Sequence, residues 1–313
     1  MEDKYILFWS TYNNDDVNIE IWRNKKIQLS KFHILTLLSH IKLKNKTYLY
    51  TYQNIKKSKI PKSIILKDAN EILPDFVAFN ALKNGHSIAH ISDAVRLKVA
   101  STINGIVIDM DAVILKKFPK VDSFFSSMPA KATGGFAPKW GKSHPPLTVY
   151  DNSWDGKALS AFPLKVNNIT AKSIESLAHK IMINLKTKPK GWNYILWTIK
   201  KIIKLDKNAK VFKPINCCPV PSWLYSGKCY SLESPTRLNG KTELFGYKLP
   251  SIENIFNDSY IIQHFFESAF SKSKTVNDDF WEKLPNKCLL EMEAKHILGD
   301  NWLKEINSFE YES

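Results

Sequence analysis

The chain has 313 residues, which suffices for one large domain with a generous core or for two modest domains. Hydrophobic residues make up 44% and aromatic residues 12% of it, which excludes a disordered or fibrous chain. The 45 lysines and arginines outnumber the 30 acidic residues, so the formal net charge is +15. This charge attracts polyanions, but the lysines are scattered and form no recognisable nucleic-acid module, so we expect no nucleic-acid partner.

Cysteine spacing and hydropathy bear on the cellular compartment. Cys217 and Cys218 are adjacent, and neither they nor Cys229 and Cys288 form a C-x-x-C pair. A reducing compartment explains this usage better than a disulfide framework or a zinc ribbon does. The amino terminus lacks the pattern of a signal peptide, and no run approaches the ~20 apolar residues of a membrane span. We therefore expect a cytoplasmic protein and leave open a peripheral association with the inner face of the membrane.

The first fifty residues predict alternating strands and helices. Two short strands are expected at 4–10 and 17–22, the second with alternate apolar side chains pointing inward. Residues 30–40 predict a helix with Ser30 as its N-cap, and residues 46–52 predict a further strand. This order of strand, helix and strand is typical of an α/β fold with a parallel sheet.

The next elements end in a pair of acids. Residues 63–76 predict a short strand and a turn, and residues 86–104 predict an amphipathic helix that Asn104 and Gly105 end. The following "IVI" is apolar on both faces, as a central parallel strand usually is. Asp109 and Asp111 follow it directly, at the end of the strand where open α/β sheets bind their ligands.

The second half of the chain is less regular. A region rich in Gly, Pro, Ser and Trp follows residue 127 and is typical of a functional lid or a substrate wall. Two amphipathic helices are then predicted at 171–188 and 192–207, and no low-complexity linker divides the chain. We therefore predict a single domain over 1–313, with a nucleotide-binding core at 17–120 and the acceptor side at 121–313.

The pair of acids in "DMD" suggests a metal site. In an extended segment residues i and i+2 face the same side, so Asp109 and Asp111 can point together while Met110 points away. Two carboxylates at so short a distance repel each other, and a bound divalent cation would compensate their charges. Oxygen ligands suit Mg²⁺ or Mn²⁺, which substrate phosphates also bind. The alternative is a solvated strand-end acid followed by an N-cap.

Asp93 and Arg96 stand three residues apart on the helix before that strand. One interpretation is an ordinary surface ion pair. The other places Asp93 on a ribose or a base and Arg96 on a phosphate, because a guanidinium holds phosphate oxygens in bidentate fashion.

These motifs, taken in order, resemble those of glycosyltransferase family 32. The order is "SDAVR", a helix, a small-residue pair, and an apolar strand that ends in D-x-D before "ILKKFP". The segments "LSKFHILTLLSH", "YLYTYQNI" and "IILKDANEILP" are also similar to bacterial members that make capsule and lipopolysaccharide, so the likeness covers about residues 17–120. It implies a GT-A fold, a retaining transfer of a sugar from a nucleotide-sugar, and Mn²⁺ or Mg²⁺. UDP is the nucleotide it favours, and GDP stays open.

The resemblance also implies roles for single residues. Asp109 and Asp111 would hold the cation and the diphosphate, and both are expected to be catalytic. Asp93 and Arg96 would line the donor pocket beside Ser92, while Trp22 would stack on the uracil ring. An ordinary core aromatic is the alternative for Trp22.

Two features qualify the likeness. Relatives usually carry two glycines before the D-x-D strand, where this chain has Asn104 and Gly105. His264 stands where relatives often have a histidine near the metal, so we expect it as a third ligand, with a packed core histidine as the alternative. The acceptor, a glycan or a lipid-linked glycan, is not specified by the sequence.

Two other functions stay open. The run "DMDAV" also fits the motif of haloacid-dehalogenase-like phosphatases, which would make Asp109 a nucleophile and Asp111 a general acid. Alternatively, Lys200, Lys201 and Lys204 form a basic face that could belong to a non-enzymatic protein binding a membrane or a polyanion.

Overall fold

The computed structural model describes most of the chain. The described residues are 3–27, 29–55, 60–129, 157–187, 193–219, 243–244, 247–248, 250–263, 279–282, 284 and 288–308. Their strands are β1 (Lys4–Phe8), β2 (Lys46–Thr51), β3 (Ile64–Asp68), β4 (Ile106–Val107), β5 (Ala112–Ile114), β6 (Phe124–Pro129), β7 (Lys157–Lys165), β8 (Lys210–Phe212), β9 (Glu243–Leu244), β10 (Tyr247–Lys248) and β11 (Ile261–Gln263).

Helices lie between most of these strands. They are α1 (Ile19–Asn24), α2 (Lys31–Lys42), α3 (Asp75–Lys83), α4 (Ile88–Ile103), α5 (Asn168–Asn184), α6 (Asn193–Ile203), α7 (Pro214–Cys217), α8 (Ile252–Asp258), α9 (Asp279–Glu282), α10 (Leu289–Leu298) and α11 (Trp302–Asn307), with a 3-10 turn at Ala69–Glu71. None of the described helices has both the length and the apolar character needed to cross a membrane.

Within the described residues, seven strands form the central sheet, in the order β3-β2-β1-β4-β7-β6-β8. Strands β3, β2, β1 and β4 are parallel to one another, and β8 is parallel to β6. Strand β7 runs antiparallel to both β4 and β6. The predicted fold class, an α/β protein with a mostly parallel sheet, is therefore confirmed, and it is compatible with the GT-A type.

The sheet separates two hydrophobic clusters. Successive side chains of a strand point to opposite faces, so Tyr5 and Leu7 pack into one cluster while Ile6 and Phe8 pack into the other. The first cluster, called cluster A here, includes α2 and the carboxy-terminal α10 and α11. The second, cluster B, includes α3, α4, α5 and α6. All these helices therefore hold the sheet between two apolar layers.

Most of the predicted elements are confirmed. The helix after Ser30 begins at Lys31, and the Ser30 side chain accepts a hydrogen bond from the His33 amide as an N-cap. The helices expected at 86–104, 171–188 and 192–207 are present as α4, α5 and α6. The strands expected at 4–10, 46–52, 63–76 and 106–108 are present as β1 to β4.

The strand predicted at 17–22 is wrong, because these residues lead into the short helix α1. Asn18 caps this helix by accepting a hydrogen bond from the Ile21 amide. The alternation of apolar residues was misleading here: Val17 is 60% exposed and Ile21 is 47% exposed, whereas Trp22 is fully buried. A helical turn that buries one aromatic residue replaces the predicted strand.

The junction between α4 and β4 brings the D-x-D segment beside β1. Asn104 adopts the left-handed conformation with φ of 51°, which asparagine tolerates better than most residues. A Cβ atom on Gly105 would lie 2.5 Å from Cδ1 of Ile6 and 3.0 Å from the carbonyl oxygen of Lys4. Gly105 therefore allows the close approach of this junction to β1.

Candidate functional site

The two acids lie in the turn between β4 and β5. Ile108 still donates its amide to Ile6 O at 3.1 Å, and β5 begins at Ala112. Met110 is 5% exposed and packs into cluster A. Met110 therefore points away from the acids as expected, but residues 110 and 111 form a turn and not the extended segment from which this was predicted. The Asp109 side chain keeps 28% of its surface exposed.

A glutamine from the carboxy-terminal part of the chain contacts both acids. The Gln263 amide nitrogen Nε2 donates to Asp109 Oδ2 at 2.9 Å and to Asp111 Oδ1 at 2.8 Å. This contact follows from strand pairing, because β11 runs antiparallel to β5 and places Gln263 opposite Ala112. One oxygen from each carboxylate is therefore directed at the same nitrogen atom.

Arg96 holds the other side of Asp109. Its Nη1 donates to Asp109 Oδ1 at 2.6 Å and to Ile108 O at 2.7 Å, and its Nη2 donates to Asp93 Oδ1 at 3.0 Å. The guanidinium carbon lies 4.2 Å from the centre of the Phe162 ring. Both Asp93 and Arg96 are buried, at 2% and 3% exposure. The alternative of an exposed surface pair is therefore wrong for these residues, although they do form an ion pair.

Burial dominates the electrostatics of this pair. Loss of hydration raises the pKa of Asp93 to about 7, against the opposing effect of Arg96. For Arg96, burial lowers the pKa, but the Asp109 and Asp93 carboxylates outweigh it and raise the pKa overall. Arg96 thus stays charged and is shared between two acids, of which the partly exposed Asp109 is the better hydrated.

The family resemblance also predicted roles for Trp22, Ser92 and His264. Trp22 is fully buried between Tyr52 and Phe79, with ring centroids 5.0 Å and 5.6 Å away, and its Nε1 donates to Thr11 O at 2.7 Å. This corrects the expectation of a base-stacking role, because neither ring face is open to a nucleotide. Ser92 is buried on α4 beside Asp93. His264 lies outside the described residues.

The donor set fits a hard divalent cation. Two carboxylate oxygens directed at one position, one of them on the partly exposed Asp109, are ligands of the kind that Mg²⁺ and Mn²⁺ prefer. In the part of the chain that the structure describes, no three His, Cys, Asp or Glu side chains gather to hold a metal. Among the described side chains, the Gln263 amide carries an oxygen and contacts both acids. Sequence reasoning singled out the adjacent His264 instead, and His264 as a metal ligand stays a prediction.

Comparisons with known proteins found similarity to solved structures only. No protein-family model matches this sequence, and no curated protein matches it. Among solved structures the chain is similar to "PaToxG Glycosyltransferase", with a TM-score of 0.37 and 16% identity over 65% of this chain and 70% of that chain. A likeness of this size carries no argument about activity. Membership of glycosyltransferase family 32 therefore stays a prediction from the order of the motifs.

Proposed function

We propose that this chain is a metal-dependent retaining glycosyltransferase that takes a hexosyl or N-acetylhexosaminyl group from a nucleotide-sugar, with UDP as the favoured nucleotide. The observation that carries the proposal is the convergence of Asp109 Oδ2 and Asp111 Oδ1 on one point at the carboxyl end of β4. Ligands of open α/β sheets bind at this end of the strands. A nucleoside diphosphate and its cation are the ligands that such a pair of acids suits.

Asp109, Asp111 and Arg96 have different roles in this proposal. Asp109 and Asp111 hold the cation, and Arg96 is a positioning residue that fixes the Asp109 carboxylate from the opposite side. When bound, the cation supplies Lewis-acid stabilisation of the charge on the departing diphosphate. A protein nucleophile is not required. By analogy with the enzymes that the sequence resembles, the acceptor attacks the sugar on the same face from which the diphosphate leaves.

The phosphatase alternative is disfavoured by the position of the motif in the chain. Four strands of the sheet, β1 to β4, precede Asp109, whereas in haloacid-dehalogenase-like phosphatases the motif follows the strand that opens the domain. Arg96 also binds Asp109 Oδ1, which leaves only Oδ2, the oxygen that Gln263 contacts, to face a substrate phosphorus.

The proposal also covers the acceptor and the cellular location of the protein. A glycan or a lipid-linked glycan of surface polysaccharide synthesis is the acceptor that the resemblance favours. Lys201, Lys204 and Leu205 are exposed at the end of α6, with Leu205 at 60%. A basic surface with a protruding leucine supports peripheral attachment of a cytoplasmic enzyme to an anionic leaflet.

Donor hydrolysis tests the proposed activity. The purified protein is incubated with Mn²⁺ and each of UDP-glucose, UDP-galactose, UDP-N-acetylglucosamine and GDP-mannose, and release of the nucleoside diphosphate is measured. We expect one donor to be turned over and Asp111→Asn to slow its turnover by about a hundredfold, because the variant loses a charged metal ligand.

The matched control is Asp122→Asn, which removes an exposed carboxylate just beyond the motif and should leave the rate unchanged. Wild-type turnover by Asp111→Asn in Mn²⁺ would remove the metal from the mechanism. Rapid hydrolysis of p-nitrophenyl phosphate, with no nucleotide-sugar accepted, would favour the phosphatase instead.

A further inference from the structure

The two ends of the Gln263 amide have different environments. Its nitrogen donates to two carboxylates, whereas its oxygen Oε1 is buried and has no hydrogen-bond partner among the described residues. The side chain is 4% exposed, so water reaches this oxygen poorly. A buried amide oxygen without a donor is unfavourable, and such groups call for an explanation.

The nitrogen end occupies the position where a cation is expected. It stands 2.9 Å from Asp109 Oδ2 and 2.8 Å from Asp111 Oδ1, so its NH₂ group shields the two acids from each other. This shielding is incomplete, because an amide is a neutral dipole facing two negative charges. A divalent cation at the same point would compensate both charges, and the partly positive NH₂ group would then be repelled.

We propose that Gln263 is a two-position ligand of the divalent cation, an inference that rests on the cation site of the proposed function. Without the cation, its NH₂ group bridges Asp109 and Asp111. When Mg²⁺ or Mn²⁺ binds, the amide turns about its Cγ–Cδ bond and presents Oε1 as a third oxygen ligand. Amide oxygens are ordinary ligands of hard cations, and the terminal torsion of glutamine is soft.

The turn improves the partners of the amide oxygen and of the two acids, and it moves the NH₂ group to the position that the oxygen leaves. The buried oxygen gains a positive partner, and the two acids exchange a weak donor for a full charge. The backbone need not move, because β11 stays paired with β5 at Gln263 and Ala112. The geometry thus makes the third ligand available without a change in the fold.

Nitrogen NMR of the glutamine side chains tests the turn directly. The chain contains three glutamines, at positions 28, 53 and 263, so protein labelled with ¹⁵N at glutamine Nε2 gives three NH₂ signals. The Gln263 signal is assigned by its absence in Gln263→Met. On addition of Mg²⁺ we expect this signal to shift strongly, because its protons leave two carboxylates.

Gln53 provides the internal control for that titration. Its amide is bonded at both ends to the turn after β1, through Thr11 N and Thr11 O. Its signal should therefore stay in place. A Gln263 signal that does not move while calorimetry shows Mg²⁺ bound would overturn the proposal, and so would the absence of Mg²⁺ binding.

Mn²⁺ affinity measured by electron paramagnetic resonance separates the oxygen from the nitrogen. Gln263→Met removes both groups and should weaken Mn²⁺ binding at least about tenfold. Gln263→Glu keeps an oxygen at the same reach and loses the NH₂ group. It should bind Mn²⁺ at least as tightly as the parent while melting at a lower temperature without metal, since three acids then meet.

The failure of this inference is distinguishable from the failure of the proposed function. Equal Mn²⁺ affinity in the parent and Gln263→Met, with donor hydrolysis intact, overturns the ligand role alone. Equal loss of Mn²⁺ affinity in Gln263→Glu and Gln263→Met would show that the nitrogen matters, and overturns it too. A moving Gln263 signal in a protein that hydrolyses no donor supports the ligand role and removes the transferase.

Discussion

At the scale of single residues, Arg96 determines how Asp109 is presented. Its guanidinium links the end of β4, the Asp109 carboxylate and Asp93 on its own helix. The planar guanidinium presents several N–H donors in a fixed arrangement and can therefore make these contacts together. The single ammonium group of a lysine does not reproduce this arrangement. Arg96, which was predicted to hold a phosphate, thus binds the carboxylate of Asp109 in this structure, and Asp109 would hold the cation.

Removal of Arg96 should destabilise the protein, because the buried Asp93 carboxylate would lose its positively charged partner. We expect Arg96→Met to lower the free energy of unfolding by about 3–5 kcal/mol, because breaking a buried pair leaves a charge uncompensated. The double variant Arg96→Met with Asp93→Leu should recover part of that loss. Urea denaturation at pH 8, above the pKa of Asp93 of about 7, measures both.

The single variant Asp93→Leu completes the double-mutant cycle. Strict additivity of the two single changes would contradict the coupling that the contacts imply. A loss of less than 1 kcal/mol in Arg96→Met, by the same reasoning about buried pairs, would show that the guanidinium is dispensable for folding.

At the scale of elements, α2 shows how a local capping motif becomes a source of pH dependence. His33 Nδ1 accepts a hydrogen bond from the Ser30 amide at 3.1 Å and thereby closes the capping box at the start of the helix. In the last turn of the helix, the His40 ring faces Thr47 Oγ1 across 3.0 Å. Burial lowers the pKa of both histidines to about 3, so both are neutral in the folded protein.

Acid should therefore remove the stability that these two histidines contribute before carboxylates with ordinary pKa values titrate, whereas protonation of Asp93, whose pKa is raised, acts in the opposite direction. Histidine in the unfolded chain takes up a proton near pH 6.5, whereas the folded protein resists protonation down to about pH 3. The stability that depends on neutral histidine is complete above pH 6.5 and falls as the pH falls. At pH 5 the loss amounts to about 2 kcal/mol per histidine.

The variant His40→Asn isolates this effect, because its amide group lies near the position of Nδ1 and does not titrate. Between pH 7.5 and pH 5 it should lose about 2 kcal/mol less than the parent in urea unfolding. The comparison uses the change with pH, which is independent of the packing cost of the substitution. An equal loss in the parent and the variant would contradict the assignment.

At the scale of the whole molecule, the sheet with its two apolar clusters predicts cooperative folding. Leu35 on α2 belongs to cluster A and Leu97 on α4 to cluster B, and both are fully buried. The strands supply alternate residues to the two clusters, so neither cluster can be lost while the sheet persists. The sheet that the two clusters share is the reason to expect a single domain, which stays a prediction.

Leu35→Ala and Leu97→Ala should each cost about 2–5 kcal/mol and shift one common unfolding transition. Tryptophan fluorescence and far-ultraviolet circular dichroism should report the same midpoint in each variant. Leu205→Ala is the control, since this leucine is 60% exposed and its removal should change stability by less than about 0.5 kcal/mol. Two separate transitions would contradict a single domain.

The sequence by itself determined the elements whose cause is local. Helix α2 follows from its cap and α4 from its apolar stripe, and β4 follows from an apolar run that ends in two acids. These patterns also fixed the fold class and the position of Asp109 and Asp111 at the carboxyl end of a strand. Short-range preferences suffice in such cases, because each pattern has one compatible conformation.

The tertiary structure decided what depends on residues far apart in the chain. Whether 17–22 forms a strand or a helix depended on burial of Trp22 against Tyr52 and Phe79. The pairing of β11 with β5 brought Gln263 to the acids from some 150 residues away. The periodicity of a strand does not show which other strand it pairs with. Spacing and composition therefore located the two acids but not the amide between them.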